Sequence, residues 1–391
     1  MSGADALLRL TGDLGDVGDV GDRDRSVLGG KAVGLAALLR VGAVIPDTWV
    51  VPVGADPTAA ALARLAAVAP RWAVRSSATV EDGTGLSYAG LFRSELDVPA
   101  GELAEAIAAV RASAHSGRVA AYRERTTAGS PDVEMAVLLQ PFRPPVRSGL
   151  WLGRGPGRGR LEWTAGSGET LVSGAVTPAW EEWTPEGRTA GSEADAWESG
   201  GQPVGTACAM LQEALGVPAD LEFAQLDGTL LWLQFRPMTA ALGEAPGERA
   251  HQPGDQPGDQ RGDQRGDQPG DERADECSDG RADDGEQVVR GIAASGGLAT
   301  ARGLRLRDVD DPRWEPGAVL LTEHTDPDWV PLMAEAAALV TAEGGMLCHA
   351  AIVARELGVP CVTGVGAAAL ARLGSGRPLA VDGSAGTVAV L

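Results

Sequence analysis

The strongest constraint on this chain is a tract that has nothing to bury. Residues 252–271 read QPGDQPGDQRGDQRGDQPGD, a four-residue period without one apolar member, and the next apolar side chain is Ala274. A segment of that composition predicts a disordered linker, bounded at 241–287. Residues 252–287 hold twelve Asp and Glu against four Arg, so eight of the 21 net negative charges fall in the tether. A Gly-rich coil of ~40 residues spans roughly 35 Å on average, which predicts large relative motion of the parts it joins. The 391 residues therefore divide into two folded regions, each of ordinary domain size.

The first region, 29–240, alternates short Val/Leu/Trp runs at 49–51, 72–74, 136–139 and 230–233 with Ala/Leu/Arg stretches at 31–41 and 102–123. Before it, residues 1–28 contain the repeat GDLGDVGDVGDRD and read as a polar lead-in. The last region, 288–391, has strand-like segments at 317–321, 338–340, 361–362 and 381–390, with helices at 329–337 and 350–357. Both patterns predict an α/β (α+β) architecture: a larger mixed domain, the linker, and a small α/β domain.

Composition narrows the function. A net charge of −21 repels phosphate backbones and anionic lipid, so neither nucleic acid nor membrane is an expected partner. No apolar run reaches the ~18 residues of a membrane span, and the N-terminus lacks a basic-then-apolar signal pattern. Cys208, Cys277, Cys348 and Cys361 form no CxxC pair and no regular spacing. They predict neither a disulfide framework nor a zinc site, and point to a reducing, cytoplasmic setting. Lys31 is the single lysine among 33 basic residues. Where arginine has replaced every other lysine, the one that remains is a candidate for a role that needs a compact ammonium.

The common phosphate loops are absent: there is no GxxxxGK[ST], and the Gly/Arg/Pro stretch at 153–159 does not fit GxGxxG. One segment carries a stronger signal. Residues 340–361 read VTAEGGMLCHAAIVARELGVPC. Gly344 and Gly345 permit a tight turn, Cys348 and His349 open a helix, and Gly358 with Pro360 close it. At a helix N-terminus the dipole disfavours imidazolium and favours an attached anion, so His349 is expected to be a neutral nucleophile. His115, His251 and His324 lie in a polar helix, the linker and a loop. In the first region, strand alternation puts Glu222 on one face of 221–224, and Gln234 and Arg236 on a shared face of 232–236. A carboxylate and a carboxamide are hard oxygen ligands suited to Mg²⁺, with an arginine beside them for phosphoryl charge. The plainer alternative is a surface pair of Glu222 with Arg236 and a solvated Gln234.

The motif GG-x-x-CHAAIVARELG-x-P resembles the phosphohistidine motif of the phosphoenolpyruvate synthase and pyruvate phosphate dikinase family. TEHTDPDWVPLM at 322–333 resembles that family's segment before the histidine, and VDGSAGTV at 381–388 resembles the end of its swivelling domain. Phenylphosphate synthases and rifampin phosphotransferases share the arrangement. The resemblance implies an ATP-grasp domain ahead of the linker. It places the phosphates against Lys31 in GGKAVGL, Arg75 in AVRSSATVED, and Gly90 and Ser94 in SYAGLFRS, where threonine is usual in place of Ser94. It gives the adenine to Gln140 in VLLQPF and a phosphate-side glutamate as Glu169 in GSGETLVSGAVTP. Glu222 and Gln234 become Mg²⁺ ligands within the ATP site, and Arg236 a γ-phosphate arginine. Thr325, Thr341, Gly344, Gly345, Cys348 and Arg355 surround the phosphohistidine.

What this implies is an ATP-dependent dikinase-type phosphotransferase with Mg²⁺ as cofactor and ATP as co-substrate. His349 is phosphorylated, with AMP and phosphate as products, and passes its phosphoryl group to a small hydroxylated acceptor. The alternatives are a subunit of a split phosphoenolpyruvate synthase and a phosphocarrier acting on a partner protein. No pyruvate-binding barrel is found after the histidine region, so the acceptor is expected at a domain interface or on a partner protein.

Overall fold

A computed structural model describes residues 7–10, 22–80, 92–116, 119, 133–238 and 288–391. The expected linker at 241–287 and Gly90 lie outside the described residues. The described chain forms three main sheets. A five-stranded sheet runs in the order Leu8–Arg9, Trp49–Val51, Met135–Pro141, Arg71–Ala78, Ser94–Pro99. A six-stranded antiparallel sheet runs Thr229–Pro237, Ala219–Leu226, Arg147–Gly155, Arg158–Ala165, Ala179–Thr184, Gly187–Gly191. The third has eight strands, and its centre is parallel: Leu298–Arg305, Val319–Thr322, Ala338–Thr341 and Cys361–Thr363.

The boundary expected at residue 29 is corrected. Leu8 and Arg9 pair with Val50 and Trp49, Leu10 is buried, and the helix Asp22–Arg40 begins before Gly29. That helix contains a break at Gly29 with φ 76°, where a Cβ would collide with the carbonyl of Ser77. Only glycine lets the helix approach the strand Arg71–Ala78 so closely. Ser77 Oγ then donates to Leu28 O at 2.8 Å and accepts from Ala32 N at 3.2 Å, which seats Lys31 at the start of the second helical stretch.

Two further readings change. The segment 381–390 is not one strand: Pro378–Asp382 and Thr387–Val390 form an antiparallel pair, turned through the Gly383–Gly386 stretch. The Asp382 carboxylate accepts from the backbone N–H groups of Ser384 and Ala385, both at 2.9 Å, and so fixes the reversal. Of the helix expected over 102–123, Leu103–Ala112 is helical and passes into a 3-10 turn Ser113–His115, where Ser113 Oγ bonds back to Val110 O and competes with the helix ladder; residues 117–118 and 120–123 lie outside the described residues.

The helix that carries the histidine is His349–Leu357, ended by Gly358 in the left-handed region at φ 66°. Val359 N then returns to Ala354 O at 2.9 Å. Its buried residues are His349, Ala350, Ala351, Val353 and Ala354. Small side chains at three of those positions allow the helix to lie close on the sheet.

A separate apolar cluster joins the two regions. Leu150, Leu152 and Leu171 of the first pack with Leu347 of the second, and Val172, Met238 and Met346 border them. Leu347 is 2% exposed. Full burial of such a side chain contributes roughly 1.5–3 kcal/mol. The histidine-bearing domain is thus seated on the six-stranded sheet.

Candidate functional site

A cavity of about 690 Å³ opens between the five-stranded and six-stranded sheets. That is within the ~300–1,000 Å³ range of small-molecule sites. Glu222 and Leu226 both line it and lie four residues apart on one strand, so the cleft is at least ~13 Å long. Phe142, Leu226 and Leu231 give it apolar wall, while Lys31, Arg75, Glu222 and Gln234 give it charge and hydrogen-bonding capacity.

Each polar group is held by its own local structure. Lys31 is 9% exposed and its Nζ donates to Ser76 Oγ at 3.2 Å. Gln140 is buried, and its Nε2 donates to Thr48 Oγ1 at 2.9 Å, whose hydroxyl in turn donates to Pro46 O at 2.8 Å. Arg75 spans the two sheets. Its Nη1 donates to Leu233 O at 2.7 Å, and its Nη2 reaches Glu222 Oε2 at 3.2 Å and Gln234 Oε1 at 3.4 Å.

Glu222 and Gln234 are direct cross-strand partners, so their side chains emerge side by side. A bulge between Glu222 and Phe223 shifts the register just beyond them. Asp220, not Glu222, stands opposite Arg236, and the two side chains approach to 3.8 Å. Arg236 shares a face with Gln234 but lies two pairs further along, and it is not among the cavity-lining residues. The alternative pairing of Glu222 with Arg236 is also absent.

The donor set fits Mg²⁺. Glu222 Oε2 and Gln234 Oε1 both accept from Arg75 Nη2, which brings one carboxylate oxygen and one carboxamide oxygen, both hard donors, close together. Among the described residues there is no group of three His, Cys, Asp or Glu that could hold a metal. Two protein oxygens with the remaining positions left to water and phosphate is the usual pattern for Mg²⁺ with a nucleotide.

His349 lines the same cavity as Lys31, Arg75 and Glu222. Its ring is 3% exposed. Nδ1 lies 3.0 Å from Thr325 Oγ1, and Nε2 is buried with no hydrogen-bond partner. When Nδ1 carries the proton and donates to the threonine, Nε2 keeps a lone pair that no described group engages. Thr325 precedes the turn Pro327–Trp329, whose Asp326 carboxylate caps Asp328 N at 2.8 Å, so the hydroxyl is carried on a fixed loop. Burial pulls the imidazole down from its ordinary 6.5 to about 4. The expected neutral ring has desolvation on its side: burial, more than the helix end, disfavours the imidazolium.

A pH expectation follows. The neutral ring contributes to the docked arrangement fully above 6.5, and that contribution is lost as pH falls toward 4. The His349 ring, followed by NMR titration, should stay neutral from pH 8 through 6.5 and take up its proton only below about 5. A half-point near 6.5 would show that the ring takes up its proton away from the cavity.

The other expected neighbours shape the approach to His349. Thr341 Oγ1 donates to Glu343 O at 2.6 Å, and Gly344 has φ 109°. Gly345 closely faces Glu162 and Pro178. The buried Arg355 guanidinium donates to Ala294 O at 2.8 Å and Met346 O at 2.9 Å, and burial lowers its pKa. Cys348 is buried, and desolvation raises its thiol to about 11, so it is inert at neutral pH. Ser94 and Glu169 line the cavity.

Sequence reasoning missed Thr48, which orients Gln140, and Glu162, a wholly buried carboxylate that accepts from Met346 N and Leu347 N. Glu162 sits in Arg158–Ala165, where five consecutive residues are buried. A Glu in a strand is ordinarily read as solvent-facing, so only an unbroken buried run flanked by Trp163 and Leu161 hinted otherwise.

Two family descriptions match this chain: pyruvate phosphate dikinase, AMP/ATP-binding domain, over residues 57–183, and PEP-utilising enzyme, mobile domain, over 314–386. The probable phosphoenolpyruvate synthase of Methanothermobacter thermautotrophicus is 31% identical over 350 residues, covering 81% of this chain and 46% of that protein. The phosphoenolpyruvate synthase of Pyrococcus furiosus is 30% identical over 362 residues, covering 81% and 40%. That of Aeropyrum pernix is 30% identical over 392 residues, covering 82% and 44%. The chain spans less than half the length of these curated relatives. With an AMP/ATP-binding description matched ahead of a mobile-domain description, and relatives 30–31% identical over about four-fifths of its length, the chain belongs to the phosphoenolpyruvate synthase and pyruvate phosphate dikinase family.

Proposed function

We propose that this chain is a dikinase-type phosphotransferase in which His349 accepts phosphorus from ATP and hands it to a second substrate. The observation that carries the reading is the unpartnered Nε2 of His349, buried in the wall of the cavity that also exposes Lys31, Arg75, Glu222 and Gln234. In this reading adenine lies toward Gln140 and the apolar walls, and the phosphates lie toward Lys31 and Arg75. Nε2 attacks the β-phosphorus, the bond from that phosphorus to the AMP oxygen breaks, and AMP leaves. Water then takes the terminal phosphoryl group as phosphate, leaving phosphohistidine. Mg²⁺ held by Glu222 and Gln234 supplies charge neutralisation at the phosphates. Arg75 and Lys31 hold the same oxygens in line, and Thr325 fixes the ring tautomer.

The acceptor we propose is an oxygen of a small hydroxylated molecule, reached when the histidine domain leaves the cavity on the 241–287 tether. Cytoplasmic placement belongs to the same reading. Among the described residues no helix is long and apolar enough to cross a membrane.

The test is incubation with ATP labelled at the β-phosphate, followed by nucleotide analysis and mass spectrometry. The expected result is AMP as the nucleotide product and an acid-labile phosphoryl group on His349. ADP as the sole product, with an unmodified ring, would overturn the proposal. Adding candidate acceptors then separates turnover on a hydroxylated metabolite from phosphoenolpyruvate formation with pyruvate, and both from a stable phosphoprotein that discharges only to a partner protein.

A further inference from the structure

The segment that leads into His349 is completed from two sides. Its carbonyls are satisfied within their own domain: Thr341 Oγ1 donates to Glu343 O, Thr363 Oγ1 to Gly345 O at 3.1 Å, and Arg355 Nη1 to Met346 O at 2.9 Å. Two of its N–H groups are satisfied from the other side. Met346 N donates to Glu162 Oε1 at 2.9 Å and Leu347 N donates to Glu162 Oε2 at 3.2 Å. Glu162 belongs to the six-stranded sheet and has no exposed surface.

That carboxylate is aimed by its own neighbours. Arg160 Nε donates to Oε1 at 2.8 Å, and Arg160 Nη1 donates to Glu182 Oε1 at 3.0 Å. The guanidinium also lies over Trp180, 4.5 Å from the ring centroid. Gly345 makes the approach possible. A Cβ there would collide with Glu162 Oε2 and sit 2.6 Å from Pro178 Cγ.

We propose that Glu162 is a positioning residue that docks the histidine segment by its backbone and thereby sets His349 Nε2 against the cavity. The inference rests on the phosphotransfer reading. Charge-assisted bonds from paired backbone N–H groups to one carboxylate are short, directional and reversible, which suits a contact made and broken in each cycle. Because the contact reads backbone, side-chain changes at Met346 or Leu347 leave its hydrogen bonds in place. The bonds are lost by altering Glu162 or by adding a Cβ at Gly345. A displacement of ~1 Å at the reacting atom costs on the order of 10²-fold in rate.

The experiment uses the full chain as wild type, Glu162→Gln and Gly345→Ala. It reads amide hydrogen exchange at Met346 and Leu347, ATP affinity, and the single-turnover rate of His349 labelling. In Glu162→Gln a carboxylate oxygen becomes an NH₂ group that confronts an N–H, while Arg160 keeps Glu182. In Gly345→Ala both Arg160 and Glu162 keep their side chains and the buried charges stay matched, so this variant carries the test if the first does not fold. Both amides should be protected in the wild type. In either variant their exchange should accelerate by about tenfold or more. Labelling should slow by on the order of 10²-fold, with ATP affinity within about twofold of wild type. Unprotected amides in the wild type, or labelling at the wild-type rate in folded variants, would overturn the proposal. Amides protected in wild type and released in both variants, with no protein ever labelled on His349, would uphold the docking contact and reject phosphotransfer.

Discussion

His349→Asn should bind ATP as wild type does and form no acid-labile phosphoprotein. In the proposed transfer the ring contributes one atom, Nε2, which is buried and without a hydrogen-bond partner, so removing it takes away no hydrogen bond that Nε2 makes to the protein. The side chain's described bond is to Thr325 at 3.0 Å, which an asparagine amide can replace in part. The loss should be on the order of 10⁴-fold or more in single-turnover transfer, as for removal of any nucleophile. Nucleotide affinity should move little, because Lys31, Arg75 and Gln140 are all held by groups other than His349. Equilibrium binding beside quantitative mass spectrometry checks both halves. Covalent label persisting in the variant would place the nucleophile elsewhere.

Glu222→Ala should slow ATP-dependent labelling by about 10²–10³-fold and raise the Mg²⁺ concentration needed for half-maximal rate. The residue has two tasks that the change removes together. Its carboxylate supplies one of two hard oxygens brought close together on adjacent strands, and it is the ion-pair partner of Arg75. Gln234 remains, but one neutral oxygen binds a hard cation weakly. Titration with Mg²⁺ and with Mn²⁺, read by labelling rate and by metal binding in the presence of ATP, separates the two tasks. A lowered rate with unchanged metal dependence would assign Glu222 to Arg75 alone.

Much of the molecule was legible in its residues. The alternation of short apolar runs with Ala-rich stretches gave mixed α/β architecture, because strands and helices bury different periodicities. Gly358 and Pro360 marked the end of the histidine helix, since few other residues take the left-handed backbone found at Gly358. The pairing of Glu222 and Gln234 was half legible. Alternation fixed which face each occupied, but the register that sets Glu222 opposite Gln234, and Arg236 opposite Asp220, depends on a bulge that no local signal marked. The neutral state of His349 was anticipated, yet its cause was not, because desolvation comes from everything packed around the ring and not from its own helix.

The sequence alone determined which candidate chemical groups this chain carries. One lysine after paired glycines, a carboxylate and a carboxamide on strands, and a histidine opening an alanine-rich helix are properties of local composition and spacing. Only the tertiary structure decided that these groups, up to 318 positions apart between Lys31 and His349, line one cavity. It also decided that Glu162, unremarkable in its strand, closes on the backbone beside the histidine. The physical reason is that side-chain identity is written residue by residue. Burial, register and the meeting of distant hydrogen-bonding groups depend on long-range packing, and short-range pattern does not encode it.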